Sequence, residues 1–424
     1  MFNQFKGKTV IFDGGTGTNF IAKGLGFDCA ERLNLTHPGA VAAAAEEYAG
    51  AGADVILTNT FGASLHKLKQ FGLEGKLNEI VSSAVASAKA AVGDGRKFVC
   101  GSAGSTGELP FPLGSFRFED YYDALFPLMR ALFESGADAV LIETQVSLLE
   151  AKAALRAARD AGGRDWTAGI SFTFENGRTL LGMPPEVAAA AAESLGADFA
   201  GVNCVTSPAA AEDIIRRYRA YTRLPILAKP NAGLPQKGAD GKLVYPLSPE
   251  EFAAASLGLV RAGASVIGGC CGTDARHISA LAKSLGGEIS APIFESAAKP
   301  KPVPIIESVH GKIAETDHDN IAEAAHDTTV DTAPKYICSE RALVPLSAAE
   351  NAESLPPDAD DIIELASEDP EALLRIDFSR SDEAEIRAFF DETAGLINCP
   401  LCFDAREEHR KLIDRLYSGV TVFF

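Results

Sequence analysis

Ala262-Gly263-Ala264-Ser265-Val266-Ile267-Gly268-Gly269-Cys270-Cys271-Gly272-Thr273 reads as a helix end, a short strand and a polar turn in immediate succession. Gly263 follows an Ala-rich segment, Pro249 to Ala262, and suits the left-handed cap that ends a helix. Ser265-Val266-Ile267 is short, apolar and β-branched, as a buried parallel strand is. The same helix-to-strand phrase recurs as Ala51-Gly52-Ala53-Asp54 and Ser135-Gly136-Ala137-Asp138. A chain that alternates helix and strand at this spacing builds a parallel sheet covered by helices.

Working outward, eight strands are expected: Val10 to Asp13, Asp54 to Asn59, Phe98 to Ala103, Ala139 to Glu143, Ala168 to Phe172, Phe199 to Cys204, Ile226 to Pro230 and Val266 to Gly269. Helices such as Val41 to Ala51, Leu149 to Ala161 and Pro249 to Ala262 separate them. Eight units within residues 1–290 predict an α/β fold of the (β/α)8 TIM barrel type. A doubly wound open sheet is the weaker alternative, since no GxGxxG loop occurs. In such a barrel the catalytic groups lie at the C-terminal strand ends. The polar ends here are Asp13-Gly14-Gly15, Asn59-Thr60, Ser102 to Gly107, Glu143-Thr144, Ser171, Asn203-Cys204, Lys229-Pro230-Asn231 and Cys270-Cys271.

Three of these ends carry the chemistry. A lone cysteine at a strand end is most often a small core hydrophobe. Adjacent cysteines, however, cannot both face one side of a strand, so Cys270 and Cys271 among glycines make poor core. Cys204 closes the sixth strand and the pair closes the eighth, and strands of one parity point into a common layer. Three converging thiolates without a fourth protein ligand describe a zinc site with an open position. A free alkyl thiol, with a pKa of about 8.5, is only slightly ionised at pH 7, whereas a metal-bound thiol is deprotonated outright. The arrangement therefore suits activation of a substrate thiol. Asn231, between the two cysteine strands, could offer its amide oxygen to the open position until substrate displaces it, or cap the loop backbone.

Composition narrows the classes. Hydrophobic content of 46% with 23% charge fits a soluble globular chain, and no apolar run approaches the ~18 residues of a membrane span. The opening Met1-Phe2-Asn3-Gln4-Phe5-Lys6 lacks the apolar core of a signal peptide. With eight cysteines and no such signal, a cytoplasmic location is expected, where thiols bind metal or stay free. The net charge of −19 is uneven: from Lys301 onward 27 acidic and 11 basic residues give −16, leaving −3 for the first 300. Nucleic acid is disfavoured as a partner, because phosphate binding needs a basic face.

IFDGGTGT, ERLNLTHP, DVILTNTFGA, LIETQVSLLEAKAAL, GVNC, KPNAGLP and GGCCGT occur in that order. Together they strongly resemble the homocysteine-binding barrel of cobalamin-dependent methionine synthases, over about residues 5 to 290. More loosely they resemble the betaine and S-methylmethionine homocysteine methyltransferases. The resemblance implies zinc on Cys204, Cys270 and Cys271, and homocysteine as substrate. It further implies that Asp13 and Glu143 hold the substrate ammonium and that backbone donors around Gly14 hold its carboxylate. Val205-Thr206-Ser207-Pro208 departs from the family, which more often has a glycine just before the proline.

Beyond residue 290 the texture changes. Residues 291–334 read as a linker, opened by the proline-rich Ala298-Lys299-Pro300-Lys301-Pro302-Val303-Pro304. Residues 335–424 read as a small acidic α/β unit of unknown role. Its expected strands lie near Ile362 to Leu365, Leu373 to Phe378, Leu401 to Asp404 and Val420 to Phe424, with helices at Asp382 to Glu392 and Arg406 to Tyr417. No DxHxxG-type cobalamin signature is present. The expected activity is therefore homocysteine methylation to methionine on zinc, with methylcobalamin supplied in trans by a separate corrinoid protein. The alternatives are a free donor such as S-methylmethionine, or a non-catalytic zinc and homocysteine binder.

Overall fold

The computed structural model describes residues 8–26, 28–93, 97–162, 167–238, 243–286, 336–338, 343–345, 354–368, 373–394, 401–417 and 419. Its centre is a ring of parallel strands: β1 (Val10–Ile11), β2 (Val55–Leu57), β3 (Phe98–Gly104), β4 (Ala139–Gln145), β5 (Ala168–Phe172), β6 (Phe199–Asn203) and β7 (Ile226–Lys229), completed by β10 (Val266–Ile267). Neighbours follow the order β1-β10-β7-β6-β5-β4-β3-β2, and a parallel bridge from Phe12 to Val55 closes the two ends. Between β7 and β10 a small antiparallel pair, β8 (Gln236–Lys237) and β9 (Leu243–Val244), rises from the loop. The eight expected barrel strands are all found, and the helix Pro249–Ala262 has the expected bounds.

Helices form the outer layer because their apolar stripes need the sheet. Pro249–Ala262 shows the local logic: Ser248 and Glu251 form a reciprocal capping box at its start, and Gly263 in the left-handed region ends it. Side chains alternate across each strand. Outward residues such as Ile56, Ile142, Ile170, Ala228 and Ile267 pack under the helices. Inward residues Val10, Phe12, Val55, Cys100, Leu141, Phe199 and Leu227 fill the barrel. One step further toward the C-terminal end, the inward positions change character: they become Ser102, Glu143, Ser171, Asn203 and Lys229, all buried. The barrel is thus plugged with hydrocarbon below and with charge above.

Among the described C-terminal residues, β11 (Tyr336–Cys338) pairs antiparallel with β12 (Leu343–Pro345). β13 (Ser354–Leu355), β14 (Leu374–Asp377) and β15 (Leu401–Asp404) form a parallel sheet, flanked by helices Ala359–Glu368, Glu383–Thr393 and Glu407–Leu416. One expectation is corrected here. Ile362 to Leu365, expected as a strand, lies inside the helix Ala359–Glu368. Ile362 and Ala366, four apart, are the buried positions, which is helical rather than alternating spacing. The strand expected at Val420 to Phe424 and the linker at 291–334 lie outside the described residues.

This unit packs on the flank of the barrel. Lys152, 4% exposed in the helix Leu148–Gly162, bonds Asp414 Oδ1 at 2.9 Å and the carbonyls of Tyr417 and Gly419 at 3.2 and 3.1 Å. Nearer the mouth, Arg117 lies 4.2 Å over the Phe111 ring and bonds Asp391 at 2.6 Å.

Candidate metal and substrate site

The mouth of the barrel is stitched from three loops. After β10, Gly268 N donates to Ala228 O at 3.0 Å, Gly269 N to Asp13 O at 2.9 Å and Cys270 N to Pro230 O at 2.9 Å. Thr273 then folds the turn back, with its hydroxyl on Cys270 O at 2.7 Å. Gly15 packs so closely that a Cβ there would stand 2.5 Å from Cys270 O, and Tyr48 and Thr18 tie the same turn through Thr273 O and Gly272 N. Gly201 lets β6 approach β7, since a Cβ would meet Leu227 O at 1.9 Å. Cys204, at the end of β6, adopts a φ of 58°, a left-handed conformation rare for a residue with a side chain. Such backbone strain clusters at functional positions.

These turns bring Cys204, Cys270 and Cys271 together: their sulfurs all lie within 4.8 Å of one another, with Cys204 Sγ 3.9 Å from Cys271 Sγ. All three are half-buried. The three thiols share protons. The Cys204 and Cys270 thiols donate to Cys271 and lower its pKa to about 3. Cys204, despite a bond from Cys270, is pushed up to about 12 by that donation and by burial. The hydrogen bonds of Cys270 to both partners, with its burial, push it up as well. Asn231 links the two cysteine loops: its Oδ1 accepts from Cys271 N at 3.0 Å and its Nδ2 donates to Cys204 O at 3.4 Å. The cluster has the residue types and spacing to hold one metal ion.

Beneath it lies the charged layer. Asp13, 1% exposed, accepts from Lys229 Nζ at 2.9 Å and from Leu57 N at 2.8 Å. Glu143 accepts from the Ser102 hydroxyl and, at 3.2 Å, from Asn203 Nδ2. The Asn203 oxygen is itself held by Thr144 N and the Ser171 hydroxyl. Burial raises the Glu143 pKa, with Lys229 acting against that. For Lys229, burial disfavours the charge, but Asp13 and Glu143 outweigh it and hold the ammonium above its ordinary pKa. Two carboxylates and one ammonium leave a net charge of −1 when all are ionised. Gly14, expected to donate from its backbone, borders this layer, where a Cβ would meet Tyr48 and Thr273.

The roles of Lys229, Ser102 and Asn203 were not assigned from sequence, although each stands at a strand end and continues an inward-facing series. Among the described residues no histidine joins the thiol cluster. His277 caps its own helix with Asp274, and His66 pairs with Glu108 at 2.9 Å. Cys29, Cys100 and Cys402 are buried core; Cys399 lies outside the described residues.

Residues 10–285 match the family model for homocysteine S-methyltransferase. The methionine synthase of Mycobacterium leprae (strain TN) is 35% identical over 295 residues, which are 66% of this chain and 24% of that protein. That of Mycobacterium tuberculosis (strain ATCC 25618 / H37Rv) is likewise 35% identical, over 66% of this chain and 25% of its own length. The chain therefore spans about a quarter of the length of these relatives. Among solved structures, the homocysteine methyltransferase MmuM from Escherichia coli in its metallated form superposes with a TM-score of 0.55 at 22% identity, over 65% of this chain and 96% of its own. Its oxidized form gives 0.55 at 21%, over 64% and 94%. These two likenesses concern the fold. No helix among the described residues is long and apolar enough to cross a membrane. With the family model matching well over half of its length, the chain belongs to the homocysteine S-methyltransferase family.

Proposed function

We propose that this chain is a zinc-dependent methyltransferase that converts homocysteine to methionine. The observation that carries the reading is three cysteine sulfurs gathered at the barrel mouth above a buried layer of net charge −1. Zinc bonded to sulfur at ~2.3 Å in a tetrahedron sets its ligands about 3.8 Å apart, close to the 3.9 Å between Cys204 and Cys271. Bound there, zinc would take the homocysteine sulfur as a thiolate at neutral pH.

The remaining work belongs to the chain's own residues. Asp13 and Glu143 offer the negative charge that a substrate ammonium needs, and Lys229 offsets the repulsion between the two carboxylates. Backbone donors around Gly14 are assigned to the substrate carboxylate. Burial of the layer excludes water and strengthens each of these charge interactions.

The methyl donor in this reading is methylcobalamin carried by a separate corrinoid protein. Its support is the distribution of exposed hydrophobics. Among the described residues seven of the nine large ones, including Phe61, Leu113, Leu180, Leu234 and Leu243, lie in connections running from a barrel strand to the next helix. Scattered exposed apolar residues are ordinary, but the concentration of seven in these connections supports a macromolecular contact face at the mouth. The division into a barrel at 1–290, a linker at 291–334 and a C-terminal unit at 335–424 belongs to the same proposal, with the last unit as a positioning element beside the rim. Cytoplasmic location is part of it too.

Methionine formation measured with a methylcobalamin-loaded corrinoid protein, free methylcobalamin and S-methylmethionine tests the reading. Turnover with the corrinoid donors is expected, and Leu180→Glu with Leu243→Glu should slow only the protein-delivered reaction. Efficient use of S-methylmethionine, unaffected by those changes, would overturn the corrinoid assignment.

A further inference from the structure

Tyr245 follows β9 in the long connection between β7 and the helix Pro249–Ala262. Its ring lies on the backbone just after the cysteine pair: a Cβ at Gly272 would stand 2.0 Å from Tyr245 Cγ and 2.5 Å from its Cβ. Gly272 has a φ of 80°, so a side chain is excluded there on two grounds. The segment carrying the tyrosine is fixed to the cysteine turn. Leu247 N donates to Ala232 O and Ala232 N to Cys271 O, each at 3.0 Å. Pro246 packs against Gly233, and a His277 ring nitrogen lies 3.1 Å from Leu247 O. Held in this way, Tyr245 packs its ring on the residue next to Cys271, which brings its phenol to the Cys271 side of the thiol cluster.

Cys271 is thus flanked by three side chains able to donate: the thiols of Cys204 and Cys270, and the phenol of Tyr245. A metal ion changes this set unequally. Were the three sulfurs to hold an ion as thiolates, both thiol donors would be lost, and the Tyr245 hydroxyl would be the one of the three left to donate. We propose that Tyr245 is a positioning residue of the metal centre, donating its hydroxyl proton to the Cys271 thiolate and thereby setting that ligand's orientation and charge. The inference rests on the three-cysteine metal reading above. Partners of this kind orient a ligand and tune the metal it holds. A hydrogen bond draws electron density from the Cys271 sulfur, which leaves the metal a better acceptor for a fourth, substrate sulfur. Tyr245 is half-buried, so it stands at the border between the metal ligands and the open mouth.

The test is cobalt(II) and zinc binding by the full chain, by Tyr245→Phe and by Gly272→Ala. Tyr245→Phe removes the donor but keeps the ring; Gly272→Ala keeps the donor and displaces the ring. Both should move the sulfur-to-cobalt charge-transfer band to longer wavelength and lower zinc affinity, in competition with a chelator, by about tenfold. Homocysteine KM should rise about three- to tenfold with kcat held or increased, since the loss falls on sulfur capture. A purely packing role for Tyr245 would leave the band of Tyr245→Phe where it is. Superimposable bands and equal zinc affinity in wild type and Tyr245→Phe would overturn the inference and leave the metal reading intact. Absence of any sulfur-to-cobalt band in the wild type would instead overturn the three-cysteine reading itself.

Discussion

Cys204, Cys270 and Cys271 stand on turns, half-buried and bonded mainly to one another, whereas Asp13, Glu143 and Lys229 just beneath them are buried and engaged by fixed neighbours. The thiols are positioned by backbone: the loop-to-loop bonds of Gly268, Gly269, Cys270 and Asn231 set where the sulfurs fall. The charged layer is positioned by side chains, each carboxylate holding two donors. On the proposed reading, groups that would exchange protons for an incoming ion are kept mutually adjustable. Groups that must present a constant charge are locked. Mutations at the two levels should therefore fail in different ways.

The largest effect is expected at the sulfur level. Replacing Cys204, Cys270 or Cys271 singly by alanine should reduce zinc affinity about a thousandfold, if the ~10–16 kcal/mol typical of protein zinc sites is shared among the ligands. The circular dichroism spectrum should stay that of the folded barrel, because half-buried thiols contribute little to the core. Chelator competition on the three variants measures this. Stoichiometric zinc retained by the triple variant would break the comparison at once, since the sulfurs would then have no ligand role.

The charged level should fail through stability. Lys229→Met leaves Asp13 and Glu143 buried without their counter-charge, and breaking such a pair costs about 3–5 kcal/mol. Urea denaturation of the metal-free protein would read this directly. A loss under ~1 kcal/mol would mean that the carboxylates take up protons in the variant, contrary to a locked charged layer.

How much of this was legible before the structure follows from the same contrast. The barrel was readable because each strand is an apolar run bracketed by helix caps, as at Gly52, Gly136 and Gly263. The thiol trio was readable because adjacent cysteines among glycines have no satisfactory place in a core. The partner of Lys229 was not, since Asp13 is 216 residues away and their meeting depends on ring closure. A weaker signal did exist: the inward series Leu227-Lys229, Leu141-Glu143 and Phe199-Gly201-Asn203 all turn polar at the same height. Reading strands by alternate residues across the whole ring, rather than by their last residue, would have found the layer. The helix at Ala359–Glu368 was missed although the four-residue spacing of Ile362 and Ala366 is helical.

Glu143→Gln sharpens the comparison at smaller amplitude. It keeps an oxygen for Ser102 but removes the charge that a substrate ammonium would meet, a loss of about ten- to hundredfold in homocysteine affinity for a charged hydrogen bond. Zinc affinity should be unchanged. Acidity adds a second signature. Burial raises the Glu143 pKa, so protonation and loss of ammonium binding should begin at a higher pH than for an exposed carboxylate. Homocysteine affinity should therefore fall on acidification more in the wild type than in Glu143→Gln, as followed by calorimetry at matched zinc occupancy. An identical pH dependence in both proteins would place the substrate ammonium elsewhere.

The smallest effect is expected at Asn231, which belongs to neither level but ties the two cysteine turns together. Its Oδ1 is occupied by Cys271 N and its Nδ2 by Cys204 O. To serve the open metal position the oxygen would have to use its second lone pair, and any turn of the side chain that broke the Cys271 N bond would strand a half-buried donor at a cost of about 1–3 kcal/mol. A metal contact must repay that cost, so the backbone tie is the role this geometry favours in the metal-free protein. Asn231→Ala should then lower stability by about 1 kcal/mol and zinc affinity only a few-fold, through looser placement of two sulfurs. Asn231→Asp separates the two roles. It retains the oxygen for Cys271 N while losing the donor to Cys204 O, and it sets another negative charge beside three thiolates. If Asn231 acts only as a tie, the aspartate should weaken zinc binding no more than alanine does. If its oxygen also fills the open position before substrate arrives, the aspartate should bind zinc more tightly than wild type and homocysteine more weakly. Zinc and homocysteine titrations of the two variants side by side distinguish these outcomes.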